Sequence, residues 1–430
     1  MKKIVVIVLA LVLLVPVIAS IQMAQPAAGE VLQSDKGRIT SPAVTPSEQA
    51  LLIQGNSAFA FELYQELKGN GANLFFSPYS ISLALAMAYA GANGETAQQM
   101  ADTLSFLLSQ DNLHPAFNNL DIELGKRGQG ARGKDDKGFR LNIVNAIWGQ
   151  KDYTFLPTFL DVLAQNYGAG LRILDFITEA EKSRVTINNW VSDQTEERIK
   201  DLIPQGTITE LTRLVLTNAI YFNAAWAYPF DEDLTADGPF YLLEGGQVAV
   251  SMMKQTESLG YAKGEGYQAV ELPYDGGELS MVILLPEAGN FAAFEETLDA
   301  QQVDAIISDL QKARIMLAMP RFEFESQFGL KATLAGMGMP IAFSPDEADF
   351  SGMTGNRELF ISDVIHKAFV AVDEDGTEAA AATAVIVGTT GMPVDPPVEV
   401  TIDRPFIFLI RDIETGAILF VGRVLNPASE

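Results

Sequence analysis

The chain has 430 residues, of which 48% are hydrophobic, and it contains no cysteine. This composition is typical of a globular protein with a sizeable packed core. The lack of cysteine excludes disulfides, zinc–thiolate sites and thiol nucleophiles. Because the formal net charge is −26, the surface repels nucleic acid and anionic lipid, and neither is expected as a main partner.

The first residues follow the pattern of an export signal. Lys2 and Lys3 precede the apolar run of residues 4–15, and small residues follow it. We therefore predict a signal peptide over residues 1–19 and a secreted protein. The alternative is an uncleaved membrane anchor that holds the protein outside the cell, since apolar residues continue as far as Ile21.

Residues 20–49 mix Ala, Pro, Ser, Gln and Gly without a helical period, and we expect a flexible linker there. One large domain over residues 50–430 is predicted to follow. Its first helix shows apolar residues at helical spacing from Leu52 onward. A second, almost entirely apolar helix begins at Ser77 and Pro78, which supply a side-chain cap and a first-turn proline. Such a helix is expected in the middle of a large domain.

A glycine-rich, charged loop is predicted over residues 125–138. It contains Gly-x-Gly-x-x-Gly, but no apolar strand leads into it and no helix follows, which argues against a dinucleotide site. The loop is a basic island in an acidic chain, so a weak polyanion contact is one interpretation and a solvated loop is the other. The first interpretation depends on Lys126, Arg127, Arg132 and Lys134.

The second half of the chain has the pattern of long strands, after a helical segment over residues 179–203. Helices come early and strands late, without regular strand–helix–strand alternation. We therefore predict a mixed α+β fold with large antiparallel or mixed sheets. The predicted strands are residues 213–226, 279–285, 313–325, 359–373, 398–412 and 417–425.

No motif in the sequence indicates an enzyme. The patterns G-x-S-x-G and H-E-x-x-H, the P-loop and the EF-hand loop do not occur, so neither a metal nor a cofactor is expected. Ser251 and Lys254 match S-x-x-K, but the supporting K-T-G is missing. His114 precedes Pro115 and is expected in a loop, while His366 lies in an apolar strand and is expected to be a core histidine.

Several motifs between about Ala50 and Pro427 resemble those of the serpins, the serine protease inhibitor superfamily, and in particular an exported, prokaryotic-type member. They are NLFFSPYSI (73–81), INNWV (187–191), LVLTNAIYF (214–222), HK (366–367), EDGTEAAA (374–381), DRPFIF (403–408) and FVGRVLNP (420–427). The resemblance implies one domain with three β-sheets, about nine helices and an exposed reactive-centre loop at about residues 374–397. In the family, a target protease cleaves this loop, and the new end inserts into the central sheet as an extra strand.

The start of this loop has the composition that strand insertion requires. Alternate positions from Thr377 onward are small or apolar, so insertion would bury no charge, and Glu378 would face solvent. Gly376 is expected to supply the unusual backbone angles of a pivot. The resemblance assigns the hinge to Glu374, Gly376, Thr377, Glu378, Ala379, Ala380, Ala381 and Ala382.

The bond that the protease cleaves is placed between Thr390 and Gly391 when residues are counted from Glu374. Counting back from the strand at Pro405 gives a later bond, because the loop downstream is longer than the family pattern. The alternatives on the acyl side are Thr389, Met392 and Val394. Since no Lys or Arg occurs between Gly376 and Asp403, an elastase-like or subtilisin-like protease is favoured over a trypsin-like one.

The resemblance also assigns two clusters that support the central sheet. The shutter, beneath the point where the sheet opens, comprises Ser77, Ser80, Asn218 and His366. The breach, where the loop enters the sheet, comprises Trp226, Arg321 and Glu374. An ion pair between Glu374 and Arg321 is expected to hold the first residue of the loop.

These observations predict a suicide-substrate inhibitor of serine proteases and not an enzyme, with papain-like cysteine proteases as an additional candidate target. The protein is expected to act as a monomer that traps the acyl-enzyme after loop cleavage and insertion. The alternative is a non-inhibitory serpin-fold protein with a binding or chaperone-like role.

Overall fold

The computed structural model of the protein describes residues 29–131, 139–377 and 396–429. Ten α-helices lie in these ranges: α1 Pro46–Leu67, α2 Pro78–Tyr89, α3 Gly94–Thr103, α4 Gln110–Leu124, α5 Pro157–Val162, α6 Ala180–Gln194, α7 Phe291–Thr297, α8 Ala300–Ser308, α9 Lys331–Met337 and α10 Ser351–Thr354. None of these helices combines the length and the apolar character needed to span a membrane. The predicted signal peptide lies outside the described ranges.

The same ranges contain sixteen β-strands: β1 Glu30–Leu32, β2 Leu74–Phe76, β3 Arg140–Gln150, β4 Leu171–Leu174, β5 Leu214–Ala225, β6 Ala236–Tyr241, β7 Gln247–Gly264, β8 Tyr267–Pro273, β9 Leu279–Pro286, β10 Gln311–Pro320, β11 Phe322–Gly329, β12 Ile361–Val372, β13 Gly376–Thr377, β14 Val398–Thr401, β15 Phe406–Asp412 and β16 Ile418–Val424. Seven of them form a central sheet in the order β1-β4-β3-β5-β13-β12-β11.

The other nine strands form a second sheet in the order β14-β10-β7-β8-β9-β15-β16-β2, with β6 paired to β7. The 18-residue β7 pairs with β6 over residues 247–252, with β10 over residues 252–261 and with β8 over residues 260–264, so it joins two groups of strands. If the nine strands of the second sheet are counted as two groups, these groups and the central sheet correspond to the three sheets that the resemblance implies. The predicted mixed α+β fold is confirmed.

α2 lies in the middle of the domain, as its composition predicts. All of its 12 residues are buried, and the hydroxyl of Ser77 caps it by accepting from the backbone N–H of Ser80. The helix packs against β3 and β5 of the central sheet and against β16 of the second sheet. Because it is enclosed on every side, it is apolar around its whole circumference. This position places the start of α2 directly against the central strands.

His114 lies inside α4 and not in the loop predicted from the proline that follows it. The neighbouring side chains of Leu113, Ala116 and Phe117 are buried in the core. Their burial outweighs the helical hydrogen bond that Pro115 cannot make.

Residues 29–45 do not form the flexible linker that was predicted over residues 20–49. β1 pairs with β4 and extends the central sheet by one strand. The Nε atom of Arg38 donates to Oδ1 of Asn118 on α4 at 2.8 Å. Composition could not predict these contacts, because their partners lie far away in the sequence. We refer to residues 29–45 as the N-terminal segment.

Candidate functional site

The strands β5 and β12 are joined in two different ways along their length. Residues 214–220 of β5 pair directly, in parallel, with residues 361–368 of β12. Beyond this point β13 lies between the two strands and is antiparallel to both, with Thr377 opposite Val372 of β12 and Ala224 of β5. The chain that follows β12 therefore already occupies one end of the sheet, which we call the upper end.

β13 consists of two residues of the predicted hinge, Gly376 and Thr377. Thr377 is buried, and its hydroxyl lies 2.8 Å from the hydroxyl of Tyr274. The other predicted residues of the loop lie outside the described ranges; they are Glu378, Ala379, Ala380, Ala381 and Ala382 of the hinge and Thr389, Thr390, Gly391, Met392 and Val394 around the reactive bond.

Glycine is required at position 376 by a close approach and not by unusual backbone angles. A Cβ atom here would lie 2.2 Å from the carbonyl oxygen of Ala224 and 2.8 Å from the Cα of Ala225, and the φ angle of Gly376 is outside the left-handed region. The backbone of Gly376 is therefore not left-handed in this structure, and its role as a pivot during insertion stays a prediction. Its small size lets the chain enter between β5 and β12.

Glu374 is held at the upper end by charge-assisted hydrogen bonds. Its side chain is only 2% exposed, and its two carboxylate oxygens accept from Nε and Nη2 of Arg321 at 2.8 and 2.5 Å. The hydroxyl of Thr235 also donates to the carboxylate. The backbone N–H of Phe230 donates to the carbonyl oxygen of Glu374 at 2.7 Å. The structure thus brings together the ion pair that the resemblance implied.

The pKa of the Glu374 carboxyl reflects two opposing effects. Burial alone would raise the pKa, but the hydrogen bonds from Arg321 and Thr235 and the charge of Arg321 hold it below its ordinary value. Glu374 is therefore ionised at neutral pH. Its ion pair holds the chain in place two residues after the end of β12 at Val372 and two residues before the start of β13 at Gly376.

Trp226 anchors the same part of the chain through its backbone and its ring. Its backbone N–H donates to the carbonyl oxygen of Asp375 at 2.8 Å, and its indole N–H donates to that of Asp373 at 3.0 Å. The ring stacks on Tyr274 with centroids 4.7 Å apart and planes inclined by 10°. Of the three predicted breach residues, Glu374 thus belongs to the segment immediately before β13, and Trp226 and Arg321 bind this segment.

Two residues of this site were not predicted from the sequence. Tyr274 follows β8, stacks on Trp226 and forms the hydrogen bond with Thr377. Burial raises the pKa of its hydroxyl, which stays neutral and can donate. Thr235 follows a short helical turn and binds Glu374. In the sequence, Tyr274 is an aromatic residue between a strand and a Gly-Gly turn. This position indicates that the side chain is buried, but it does not indicate a contact with the hinge.

Polar side chains of three neighbouring strands lie in one row across the central sheet. Asn145 of β3 is opposite Asn218 of β5, and Asn218 is opposite His366 of β12. The side-chain NH₂ group of Asn218 donates to Oδ1 of Asn145 and to the hydroxyl of Ser80, which lies at the start of α2. With Ser77, whose backbone N–H donates to His366, the four predicted shutter residues form one cluster.

The hydrogen bonds of His366 define its tautomer. The backbone N–H of Ser77 can only donate, so Nε2 of His366, which lies 3.3 Å from it, carries the lone pair. The proton is therefore on Nδ1, which donates to Oδ1 of Asn218. Burial lowers the pKa of His366 to about 3. A second proton, on Nε2, would point at the backbone N–H of Ser77. The hydrogen bonds of the cluster therefore favour the neutral ring.

Asn145 is a fifth member of this cluster and was not predicted from the sequence. Its Oδ1 accepts from the hydroxyl of Ser80 at 3.3 Å, and its Nδ2 donates to the carbonyl oxygen of Ser80 at 3.1 Å. The signal for it was a polar residue within the apolar run Ile143 to Ile147. Its partner Asn218 is 73 residues away, so only the strand register shows the contact.

One residue of the predicted polyanion contact, Arg127, is not on the surface. Arg127 is buried, and its guanidinium donates to the carboxylate of Asp412 at 2.6 Å and pairs with Glu414 at 2.9 Å. Lys126 pairs with Glu123 at 2.7 Å. Arg127 is thus an internal ion-pair residue, which corrects its assignment to a binding surface. The predicted polyanion contact would then rest on Lys126, which is exposed, and on Arg132 and Lys134, which lie outside the described ranges.

Within the described part of the chain, no group of three or more acidic or histidine side chains is arranged to hold a metal ion. The two histidines lie in separate buried sites. Burial lowers the pKa of His114 to about 4, so this ring is also neutral at physiological pH.

Comparison with known proteins identifies the family. A family model described as serpin (serine protease inhibitor) matches residues 54–427. The chain belongs to the serpin family. It is 41% identical to a leukocyte elastase inhibitor of Xenopus laevis over 378 residues, which cover 86% of this chain and 97% of that protein. It is 40% identical to antithrombin-III of Mus musculus, with 87% of this chain and 82% of that protein covered. These relationships support protease inhibition.

Solved serpin structures share the fold. The native state of tengpin, a thermophilic serpin, superimposes with a TM-score of 0.80 at 29% sequence identity, covering 91% of this chain and 97% of tengpin. In our structure the direct pairing of β5 with β12 shows that no further strand lies between them over residues 361–368. The described part of this serpin therefore has the central sheet closed below β13.

The description of the chain as simply not an enzyme is corrected by the family match. The matching family model is described as serpin (serine protease inhibitor). An inhibitor of this kind that acts as a suicide substrate is itself a reactant in the chemistry of the protease. The distinction between enzyme and non-enzyme therefore does not describe its activity adequately.

Proposed function

We propose that this serpin inhibits serine proteases as a monomeric suicide substrate. A protease cleaves the reactive-centre loop, and the loop then lengthens β13 within the central sheet while it is still joined to the protease. The observation that supports this proposal is the position of β13, which already separates β5 from β12 at the upper end. In sequence, the residues after Thr377 continue with small or apolar side chains at alternate positions.

The strand pairing supplies the driving force for insertion. β5 and β12 are parallel where they pair directly, whereas β13 is antiparallel to each of them. Lengthening β13 replaces one parallel ladder with two antiparallel ladders, and antiparallel pairing is slightly more stable per residue. Each added hydrogen bond contributes about 0.5–1.5 kcal/mol. Insertion of several residues therefore releases free energy that can act on an attached protease.

The covalent step uses the chemistry of the protease. Its serine hydroxyl attacks the carbonyl carbon of the cleaved bond, and the amino group on the other side of the bond leaves. The resulting acyl-ester is hydrolysed only if the oxyanion hole and the catalytic histidine stay in place. Insertion pulls on the ester and deforms both, so the ester persists and the protease is trapped.

The test is incubation of the purified protein with elastase and with subtilisin, followed by denaturing electrophoresis. We expect a covalent adduct with the combined mass. The variant Thr377→Arg cannot bury its charge in β13, so the protease should cleave the loop and be released without an adduct. Thr377→Ser keeps the hydroxyl that bonds to Tyr274 and serves as the matched control. If no protease forms an adduct, the non-inhibitory binding or chaperone-like alternative is favoured.

The proposed targets are elastase-like or subtilisin-like proteases. The segment between Gly376 and Asp403 offers no basic residue to a trypsin-like pocket. The similarity to a leukocyte elastase inhibitor agrees with this preference. Association rate constants should be measured with elastase, subtilisin, trypsin and papain. Faster trapping of trypsin than of elastase would contradict the proposed preference.

We propose that the protein is an exported, prokaryotic-type serpin with residues 1–19 as a cleaved signal peptide. This rests on Lys2, Lys3 and the apolar run of residues 4–15. Expression of the full chain in a bacterial host, with fractionation and mass spectrometry of the N-terminus, tests it. An N-terminus near Ser20 in the soluble exported fraction supports secretion. An intact N-terminus in the membrane fraction supports the anchored alternative.

A further inference from the structure

A groove of about 690 Å³ follows the free edge of the central sheet. One wall is formed by residues 321–325, at the start of β11, and the other by residues 427–429, close to the C-terminus. We propose that this groove binds an extended segment of a partner protein that is rich in lysine or arginine and pairs with β11 as an additional strand. This binding is independent of the proposed protease inhibition.

β11 offers unpaired backbone groups to such a segment. It is the last strand of the central sheet, and all eight of its residues pair with β12. In an edge strand, alternate residues direct their backbone N–H and C=O groups away from the single neighbour. Among the described strands, none pairs with the other side of β11. An extended peptide in the groove completes this ladder.

The opposite wall is held in place by Asn73. Its Nδ2 donates to the carbonyl oxygen of Asn426 at 2.8 Å and to the hydroxyl of Ser429 at 3.0 Å. Its Oδ1 accepts from the backbone N–H groups of Leu425 and Asn426 at 2.8 and 3.0 Å. The groove is therefore formed before a ligand binds, which reduces the cost of ordering its walls.

The charges of the groove favour a cationic ligand. The walls carry one guanidinium, that of Arg321, which the ion pair with the hinge already engages. They also carry the carboxylates of Glu323, Glu325 and Asp373. Lys367 compensates Glu325 at 3.0 Å. Glu323 is exposed and forms no ion pair within the described part of the chain.

The alternation of β11 defines where the positive charges of the ligand must lie. Glu323 and Glu325 are on the exposed face of the strand, whereas Phe322 and Phe324 are buried. A paired strand places alternate residues beside the two glutamates. Lys or Arg is therefore expected at these positions of the ligand, with small apolar residues between them.

A second copy of the chain does not fit this groove. Carboxylates on an edge strand prevent pairing with strands of the same charge. The chain has a net charge of −26, and residues 378–395 of its predicted reactive-centre loop contain two carboxylates and no lysine or arginine. The edge of β11 therefore repels this loop and admits a basic segment.

The binding test is calorimetric titration of the complete protein with the peptide Lys-Val-Lys-Val-Lys, blocked at both ends. We expect saturable binding at one site, an affinity lower by about threefold in Glu323→Gln and no binding in Glu323→Lys. Glu210→Gln removes an exposed carboxylate before β5, at the opposite end of the sheet, and should leave the affinity unchanged. Absence of binding to the wild type, or an equal loss in Glu210→Gln, would overturn the site.

The strand pairing is tested with the same peptide N-methylated at every residue. This peptide keeps the charges but has no backbone N–H to donate, so we expect its affinity to be lower by about tenfold or more. The unmodified peptide should also slow amide hydrogen exchange in residues 322–325. Equal affinities, or unchanged exchange, would reduce the interaction to non-specific attraction and contradict the added strand. Tighter binding of a peptide that copies residues 378–382 would make the loop of a second copy the occupant.

Discussion

The hydroxyl groups of Tyr274 and Thr377 lie 2.8 Å apart, and both are buried. Tyr274 comes directly after β8 of the second sheet, whereas Thr377 is the last residue of β13 in the central sheet. The bond therefore ties the hinge to a part of the molecule that does not belong to the sheet into which it inserts. Because β13 has only 2 residues, this side-chain bond is an important part of its attachment.

Tyr274→Phe is expected to lower the free energy of unfolding by about 1–2 kcal/mol, because the Thr377 hydroxyl is left buried without its partner. The ring stacking on Trp226 is retained, so the loss reports the hydrogen bond alone. Urea unfolding of Tyr274→Phe, Thr377→Val and the double variant gives the coupling energy. If the two single effects simply add, the hydroxyl pair does not stabilise the hinge.

Arg321→Ala is expected to destabilise the protein by about 2 kcal/mol at neutral pH, because the Glu374 carboxylate loses its charged partner while still buried. The wild-type pKa of Glu374 is lowered, so its stabilising effect is present above the ordinary glutamate pKa and is lost as the pH falls through the folded value. Without Arg321, burial raises this pKa, and the variant becomes less stable as the pH rises.

The difference in unfolding free energy between wild type and Arg321→Ala should therefore be larger at pH 7 than at pH 4. Urea unfolding at both pH values measures it. Arg321→Lys keeps the charge without the paired geometry and should fall between the two proteins. A difference that does not depend on pH would contradict the assigned role of the ion pair.

Long strands could be predicted where alternate or continuous apolar residues are dense. β5 and β12 lie within two residues of the predicted bounds. The run predicted over residues 313–325 is two strands, β10 and β11, because the chain changes sheet after Pro320. β7 was missed, since it belongs to two groups of strands and its buried residues do not follow one period.

The shutter and breach could be predicted because short motifs resemble those of the family. Asn145 and Tyr274 could not, because they reach these clusters through strand register and the packing of one sheet on the other. Tyr274 and Thr377 are 103 residues apart. The order of the N-terminal segment could not be predicted for a similar reason. Its composition indicates a flexible chain, whereas its order depends on backbone pairing with β4, which is distant in the sequence.

Acid is expected to destabilise the protein through its two buried histidines. Burial lowers the pKa of His366 to about 3 and that of His114 to about 4, whereas an unfolded histidine titrates near about 6.5. Between these values the unfolded state binds protons that the native state does not bind. Stability is therefore complete above the unfolded pKa and falls as the pH decreases, by about 1.4 kcal/mol per pH unit for each histidine.

His114→Phe tests this expectation, because it keeps an aromatic ring between Tyr89 and Tyr167 but cannot titrate. Between pH 6 and about 4.5, the slope of the unfolding free energy against pH should be smaller in the variant than in the wild type. The difference in slope should correspond to about one bound proton. Carboxyl groups titrate equally in both proteins and cancel in the comparison. Equal slopes would show that His114 is protonated in the native state.

Gly170→Val is expected to detach β1 from the central sheet. A Cβ atom at Gly170 would lie 2.7 Å from the carbonyl oxygen of Leu32 and 2.6 Å from the side chain of Gln33. The loss of this short strand should cost about 1–2 kcal/mol of unfolding free energy. Gly37→Val is the control, because its Cβ would have no described atom within 4 Å.

Amide hydrogen exchange locates the effect within the N-terminal segment. Protection of the amides of β1 that bond to β4 should be lost in Gly170→Val, while the N–H of Ile39, which donates to Gln165 at 2.9 Å, should stay protected. Ile39 follows Arg38, and the bond of Arg38 to Asn118 anchors this part of the chain independently of β1. Continued protection of β1 in Gly170→Val would show that the close contact at Gly170 does not hold the strand in place.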